Sequence, residues 1–157
     1  MKRSLDKNPG FLFRRLQQVS ISLFLSRLRQ FGITPLQYTV LRIIEAQAEI
    51  EQISVASQAL LDASTVRDIV TRLEAKKLVA RRTGDEDRRT RLVSLTRIGR
   101  DLLAAAEPVV QRTRKELLAP LSKQDQANLL RLLRTLLAAH EGPPAEANAP
   151  APWRRLS

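Results

Sequence analysis

Apolar side chains recur at intervals of three and four along most of the chain, which is the period of amphipathic helices. The first such stretch predicts a helix over about residues 10–30. Residues 34–37 (TPLQ) form a capping box, with threonine at the N-cap and proline at the first helical position. A second helix is therefore predicted from there to about Ala46. Ser54 is predicted to cap a short third helix over about residues 55–61.

A fourth helix is predicted to begin after Asp62, whose short acidic side chain can accept hydrogen bonds from the first free backbone N–H groups. Its apolar residues, Val66, Ile69, Val70 and Leu73, define one buried stripe. The other faces carry short hydroxyls, long cations and one acid: Ser64, Thr65, Arg67, Asp68, Thr71 and Arg72. Such side chains suit the base edges and phosphates of a DNA major groove.

Two short strands are predicted directly after this helix, over residues 78–82 and 91–95. Between them lies the turn-rich segment TGDEDRRT (residues 83–90), which makes a charged hairpin tip. A recognition helix followed at once by a basic hairpin is the layout of a winged helix-turn-helix, in a fold that is otherwise mainly α.

Two further helices follow the hairpin. Thr96 is a suitable N-cap for the fifth, which Pro108 is expected to bend, and Ser122 begins the sixth. The sixth helix is too rich in leucine to be a lone surface helix: Leu129, Leu130, Leu132, Leu133, Leu136 and Leu137. Its apolar face is buried either in the chain's own core or in an interface. Residues 142–157 are rich in proline and alanine without a period, and we expect a disordered tail.

The charge of the chain indicates a polyanionic partner. The net charge is +11, and residues 64–100 hold eleven basic and five acidic side chains. More than half of the excess charge therefore lies in less than a quarter of the length. Nucleic acid is the first candidate partner and an anionic membrane surface is the competitor. We expect no membrane association, because no apolar run is long enough to span a bilayer.

Enzymatic and cofactor chemistry find little support in the sequence. The chain has no cysteine, which excludes disulfides and thiolate metal sites. Its one histidine, His140, lies near the C-terminal end of a helix, where the helix dipole favours a cation. This position explains the histidine without a catalytic or metal-binding role. No glycine-rich phosphate loop is present. We expect no enzyme, no cofactor and no metal. The N-terminus lacks the apolar core of a signal peptide, so a cytoplasmic protein is expected.

Residues 53–100 resemble the MarR family of bacterial transcription regulators. The matching motifs are D-x-S-T-V at Asp62, R-L-E at Arg72, D-R-R at Asp87 and L-T-x-x-G-R at Leu95. The family usually has glycine at the end of the recognition helix where this chain has Lys77, so we expect that helix end to be formed differently.

The resemblance implies one domain over residues 1–141. Its DNA-binding lobe would cover about residues 34–95, and its dimerisation helices about residues 10–31 and 97–141. It also implies a homodimer on a pseudo-palindromic operator, acting as a repressor.

The wing is the second DNA-contacting element that the resemblance implies. The family inserts a wing arginine into the minor groove, where narrow A·T-rich sequence has enhanced negative potential. Arg89 is the first candidate for this role and Arg88 the second, with Arg91 on the same groove or on flanking phosphates. Asp87 can hold the guanidinium of Arg89 in place. The alternative is a solvated tip with a surface ion pair of little energetic weight.

A small-molecule effector is implied by the same resemblance. Residues 9–18 (PGFLFRRLQQ) and 34–38 (TPLQY) look like the branch that controls catabolism of aromatic acids, including nicotinate-type compounds. Arg14, Arg15, Gln18 and Tyr38 are the candidate effector residues, because an arginine on the edge of an apolar helix face can pair with a carboxylate. The alternative is that the first three are simply solvated and that Tyr38 is a core residue.

Two other functions fit parts of the sequence. A non-specific DNA-compacting protein would bind duplex without a preferred operator and with a steep salt dependence. A basic protein that docks on anionic membrane would bind acidic vesicles and ignore duplex DNA. Neither accounts for the ordered set of helix, hairpin and motif residues between Asp62 and Arg100.

Overall fold

The computed structural model describes residues 5–85 and 89–141. Within this part of the chain, the fold is mainly helical with one small antiparallel sheet, so the predicted fold class is confirmed. The predicted disorder of residues 142–157 and the predicted roles of residues 86–88 lie outside the described residues.

The elements follow the predicted order, with one added strand. The helices are α1 (Pro9–Leu28, extended by a 3-10 turn at Arg29–Phe31), α2 (Pro35–Glu45), α3 (Gln52–Ala59), α4 (Ala63–Ala75), α5 (Arg97–Leu118) and α6 (Lys123–Glu141). The strands are β1 (Ile50–Glu51), β2 (Val79–Thr83) and β3 (Arg91–Leu95). Helix α5 runs without a break through Pro108.

Side-chain caps begin several of these helices at positions that local sequence favours. The Thr34 hydroxyl accepts from the Gln37 backbone N–H at 3.2 Å, and the Gln37 side chain accepts from the Thr34 N–H at 3.1 Å. The Thr96 hydroxyl accepts from the Gly99 N–H at 3.0 Å. Asn8 caps α1 in the same way through Phe11. These caps satisfy backbone N–H groups that the first helical turn leaves without partners.

The predicted start of the third helix is wrong. Helix α3 begins at Gln52, and Ser54 lies within its first turn instead of capping it. The residue before the helix, Glu51, is extended and pairs with Leu92 of β3, so its backbone is held by the sheet and not by a side-chain cap. A two-residue strand is too short to show an alternating pattern, which is why β1 was not predicted.

The end of α4 corrects a second expectation. Lys77 adopts the left-handed backbone, with φ of 60°, that glycine usually supplies at this position. Its N–H donates to the Glu74 carbonyl at 2.8 Å, and the Leu78 N–H donates to the Leu73 carbonyl at 3.0 Å. These two bonds form the usual Schellman helix end. The helix therefore ends as in the family pattern, at a steric cost that a glycine would avoid.

The sheet has the strand order β1-β3-β2, with β3 in the centre and both neighbours antiparallel to it. Thr83 pairs with Arg91 at the end of the hairpin nearest the connecting loop, and Val79 pairs with Leu95 at its base. Val79 and Val93 are buried against the helices, which fixes the register, because a shift by one residue would expose them.

The core lies between α2, α3, α4, the hairpin and the first half of α5. Helix α1 packs along α5, yet of its own residues only Leu28 is buried. Among the described side chains of α6, none is buried. No helix of the described chain combines the length and the apolarity that crossing a membrane requires.

The join between the hairpin and α5 is tight. A Cβ atom on Gly99 would lie 2.1 Å from the Leu78 backbone oxygen. The same oxygen accepts from the Thr96 N–H and hydroxyl, both at 3.1 Å. Gly99 therefore lets α5 begin directly on the base of the wing.

Candidate nucleic-acid interface

Helix α4 begins with a local network centred on Asp62. One carboxylate oxygen accepts from the Thr65 backbone N–H at 2.8 Å and from the Ser64 hydroxyl, and the other accepts from the Thr65 hydroxyl at 2.6 Å. These bonds, with that from the Ser64 hydroxyl contributing most, hold the pKa of Asp62 well below its usual range. Ser64 and Thr65 therefore use their hydroxyl hydrogens within the protein and keep their oxygen lone pairs free to accept.

The exposed face of α4 carries the other residues that were predicted to contact DNA. Arg67, Asp68, Thr71 and Arg72 are all exposed, opposite the buried stripe that anchors the helix. The guanidinium groups of Arg67 and Arg72 make no hydrogen bond or ion pair with any described residue. Both are thus available to an external acceptor, such as a base edge or a phosphate.

Arg81 of β2 ties the wing to α4. Its Nε donates to a carboxylate oxygen of Glu74 at 2.8 Å, its Nη2 contacts the same oxygen, and its Nη1 reaches the Thr71 hydroxyl at 3.3 Å. This contact fixes the position of Thr71 on the exposed face. The wing and the helix are consequently presented as one surface.

Arg82 holds the other side of the hairpin. Its Nε and Nη2 form a bidentate pair with Glu49 at 2.7 and 2.6 Å, and its Nη1 donates to Asp85 at 3.0 Å. The hydrogen bond from Arg82 lowers the pKa of Glu49. Although Arg82 belongs to the basic segment, its charge is compensated within the protein.

The wing arginines lie at the loop end of the hairpin. Arg91 Nη1 donates at 3.2 Å to the hydroxyl of Thr83, which is the residue paired with Arg91 across the two strands. Arg89 is exposed beside the tip. The predicted role of Arg88, and the predicted contact of Asp87 with Arg89, fall on residues that the structure does not describe.

Arginines from α4 and from the wing line a common depression, which we name the helix–wing cleft. One part has a volume of about 400 Å³ and the adjoining part about 540 Å³. Gln52, Arg67 and Arg91 line both parts, and Arg89 lines the second. The Gln52 side-chain oxygen is buried without a hydrogen-bond partner among the described residues, so the cleft also contains an open acceptor.

Three of the candidate effector residues are exposed on α1, whereas the fourth, Tyr38, is buried. Arg14, Arg15 and Gln18 are exposed along the N-terminal half of α1. The Arg15 guanidinium carbon lies 5.8 Å from the centre of the Phe11 ring, within cation–π range. None of these three residues, nor Tyr38, lines the helix–wing cleft.

Tyr38 is a core residue with a specific partner. It is 6% exposed, and its hydroxyl donates to Glu107 of α5 at 2.6 Å. Gln111 donates to the other Glu107 oxygen at 2.6 Å. Burial, followed by the hydrogen bond to Glu107, raises the pKa of Tyr38 to about 12. The tyrosine therefore stays protonated at neutral pH and links α2 to α5.

Three residues of the interface were not singled out from the sequence. Arg81 and Arg82 were counted only as charge, since their partners Glu74 and Glu49 are 7 and 33 residues away. Their alternation along β2 was the one signal that they point to different neighbours. Gln52 carried no signal at all. In the described chain, no group of histidine and acidic residues is arranged to hold a metal ion.

Comparison with known proteins identifies the family. The family model described as the MarR family matches residues 33–90. The transcriptional regulator HosA of Escherichia coli O111:H- is 34% identical over 107 residues, which cover 68% of this chain and 79% of HosA. The residues that the family model matches include α4 and β2.

Solved structures give the same result. Bordetella bronchiseptica BpsR, described with regulation of its DNA binding by 6-hydroxynicotinic acid, superposes with a TM-score of 0.76 at 29% identity, over 81% of this chain and 96% of BpsR. A mutant MarR of Escherichia coli, complexed with operator DNA, superposes with a TM-score of 0.78 at 28% identity, over 82% of this chain and 92% of MarR. The chain belongs to the MarR family of transcription regulators, which are winged-helix DNA-binding proteins and not enzymes.

Proposed function

We propose that the protein is a homodimeric repressor that binds a pseudo-palindromic operator and is released by a small aromatic carboxylate. Helix α4 enters the major groove of each half-site, and the wing contacts the adjacent minor groove or its phosphates. Support comes from the similar Escherichia coli MarR, which is complexed with operator DNA, and from the exposed basic surface described above.

On the helix, the two free guanidinium groups carry most of the direct readout in this proposal. Arg67 and Arg72 can each donate two hydrogen bonds to guanine O6 and N7. Ser64 and Thr65 set the helix start through Asp62 and accept from base amines. In this proposal Asp68 accepts from cytosine N4, and Arg81 donates to the hydroxyl of Thr71.

The helix–wing cleft is the single observation that carries the proposal. Arg67 from α4 and Arg91 from β3 line both of its parts, and Arg89 adds a third cation. Cations that converge from two elements neutralise neighbouring phosphates while the helix reads the bases between them. We assign Arg88, Arg89 and Arg91 to the minor groove or its flanking phosphates.

Dimerisation through α1 and α6 supports the two-fold arrangement. Both helices expose leucines that the single chain does not bury, for example Leu12, Leu16, Leu132 and Leu136. A two-fold axis through this surface buries the same patch from both subunits and places two α4 helices on two half-sites. In this proposal, residues 1–141 form one domain, with the DNA-binding lobe over residues 34–95.

An aromatic carboxylate is the proposed effector class because 6-hydroxynicotinic acid regulates the DNA binding of the similar protein BpsR. Arg14, Arg15, Gln18 and Tyr38 stay the effector residues predicted from the sequence. Among them, the two arginines have exposed cationic groups, whereas the hydroxyl of Tyr38 is already bound to Glu107. An acid can release DNA only if it binds the DNA-incompetent conformation more tightly.

The test is binding to the promoter upstream of the protein's own gene against a scrambled duplex at fixed salt, repeated with benzoate, 4-hydroxybenzoate and 6-hydroxynicotinate. Tight binding to the promoter alone, released by one acid, is the expected result. Equal binding to both duplexes would identify a DNA-compacting protein. Specific binding that no acid affects would leave the repressor and remove the effector.

Substitution of Arg67 by alanine is the matching test of the interface. We expect operator affinity to fall by about 1–3 kcal/mol, because one bidentate contact is lost. Arg97→Ala is the matched control, since Arg97 is 91% exposed on the first turn of α5 and lies outside the cleft. Equal losses in the two variants would show only a general charge effect.

A further inference from the structure

Arg82 lines the helix–wing cleft, yet it is held by two carboxylates of the protein. Glu49, from the loop before β1, accepts from its Nε and Nη2 at 2.7 and 2.6 Å. Asp85, in the turn after β2, accepts from its Nη1 at 3.0 Å, and the same nitrogen donates to the Thr83 carbonyl at 3.3 Å. All three guanidinium nitrogens therefore donate within the protein, although the side chain is 44% exposed.

Arg67 lines the same cleft in a different state. Its guanidinium group makes no hydrogen bond or ion pair with any described residue. A phosphate can therefore bind Arg67 without displacing a protein group. To bind Arg82 it must displace a carboxylate that already accepts charge-assisted hydrogen bonds. The two arginines thus share a surface but differ in how available they are to DNA.

The charge around Arg82 is a further obstacle to a phosphate. Arg82 contributes +1, and Glu49 and Asp85 together contribute −2, so the three side chains carry a net charge of −1. The hydrogen bond from Arg82 also lowers the pKa of Glu49, which keeps that carboxylate ionised at neutral pH. A single exposed ion pair restrains an arginine only weakly. Here, however, a phosphate that bound Arg82 would still lie beside two carboxylates, and like charges repel.

We propose that Glu49 and Asp85 keep Arg82 from contacting DNA phosphates and thereby limit the sequence-independent part of the protein's DNA affinity. Phosphate contacts carry no sequence information, so each added contact strengthens binding to every duplex. A lower sequence-independent affinity leaves less of the protein on the many competing sites of a genome. Glu49 and Asp85 are positioning residues, because they act on DNA through Arg82. The inference rests on the proposed function only for duplex binding through the helix–wing cleft.

The experiment measures the affinity of the full chain for a scrambled duplex over a series of salt concentrations. Glu49→Gln frees Arg82, so the slope of log affinity against log salt should become steeper by about 0.9, the value for one added phosphate contact. The same contact should raise the affinity of Glu49→Gln for the scrambled duplex about eightfold at about 0.1 M salt.

Three further variants test whether Arg82 is the cause. The double variant Glu49→Gln/Arg82→Gln has the net charge of the wild type and should return to the wild-type slope. Arg82→Gln alone should also keep that slope, because Arg82 contacts no phosphate in the wild type. Glu51→Gln is the charge-matched control, since the Glu51 carboxylate has no partner in the described chain and its loss frees no arginine. It should not steepen the slope.

The other outcomes separate this inference from the proposed function. A flatter slope in Arg82→Gln would show that Arg82 already binds a phosphate, and the inference would be wrong. Equal steepening in Glu49→Gln and Glu51→Gln would show a general charge effect and would also overturn it. Weaker duplex binding by Glu49→Gln, with a lower free energy of unfolding in denaturant, would leave Glu49 only a structural role. A wild-type protein that bound no duplex would instead overturn the proposed function.

Discussion

Helices α4 and α6 are both amphipathic, yet the single chain treats their apolar faces in opposite ways. On α4, Val66, Val70 and Leu73 are completely buried beneath the surface that is proposed to face DNA. On α6, Leu132 is 50% exposed and Leu137 is 53% exposed. The apolar face of α4 in the DNA-binding lobe is therefore buried within one chain, while α6 has an apolar face that no residue of the described chain fully covers.

This difference indicates how the two proposed tasks, DNA reading and dimerisation, are divided between α4 and α6. A surface that reads DNA needs rigid positioning, which a sealed core and the contact of Arg81 with Glu74 provide. A surface that joins two copies must remain open in each copy. The predictions below test this division, beginning with the largest expected effect.

Disrupting the exposed apolar face of α6 should have the largest effect on operator affinity. Leu136→Glu places a charge on the apolar face of α6, so we expect a monomer by sedimentation equilibrium. Operator affinity should fall by about 10²–10⁴-fold, because simultaneous binding of two half-sites is lost. Thr135→Glu adds the same charge on the opposite face and should leave the dimer intact. A Leu136→Glu dimer would show that α6 is not the interface.

Breaking the join between the two lobes should have the next largest effect. Gly99→Ala puts a Cβ atom where Leu78 oxygen lies 2.1 Å away, which displaces α5 from the base of the wing. We expect a loss of about 3 kcal/mol in unfolding free energy by denaturant titration. Gly10→Ala near the start of α1 is the control, since its nearest contact is 3.3 Å. Equal, small effects would contradict the tight join.

Relieving backbone strain at the end of α4 should give a small gain in the free energy of unfolding. Lys77→Gly removes the steric cost of φ at 60°, partly offset by the greater freedom of glycine in the unfolded chain. A net stabilisation of about 0.5 kcal/mol is expected in the same titration. Ala75→Gly, in the last helical turn, should instead destabilise by about 1 kcal/mol. Two losses of equal size would show that Lys77 is not strained.

The smallest expected effect is a pH dependence from the α4 cap. Because the hydroxyl of Ser64 and the groups of Thr65 lower the folded-state pKa of Asp62, its contribution is present above the unfolded pKa. It is lost as pH falls from about 4 towards the folded pKa. Unfolding free energy measured against pH should therefore converge for wild type and Asp62→Asn at low pH. Parallel curves would exclude this role.

Local chemistry was sufficient to predict much of the reading lobe. Thr34, Asp62 and Thr96 cap helices because each has a short oxygen acceptor beside an apolar period. The short apolar run at residues 91–95, next to a turn-rich segment, predicted β3 with its observed bounds. These signals depend only on residues a few positions apart, so they can be recognised in the sequence without knowledge of the fold.

The missed features depend on contacts between distant segments. Tyr38 meets Glu107 across 69 residues, and Lys76 meets Gly32 across 44. Neither partner follows from a local pattern. The start of α3 was misplaced for a related reason, because Glu51 is held by pairing with β3 and not by the nearby Ser54.

Helix α5 has one consequence for operator recognition that follows from its length. It is continuous over 22 residues, or about 33 Å of axis, from the base of the wing to the helical lobe. A rigid rod of this length converts a tilt of about 10° at one end into a displacement of about 6 Å at the other. Such a displacement exceeds one base-pair step of 3.4 Å. In the proposed dimer, small rotations at the dimer surface would therefore set which half-site spacing the two α4 helices accept.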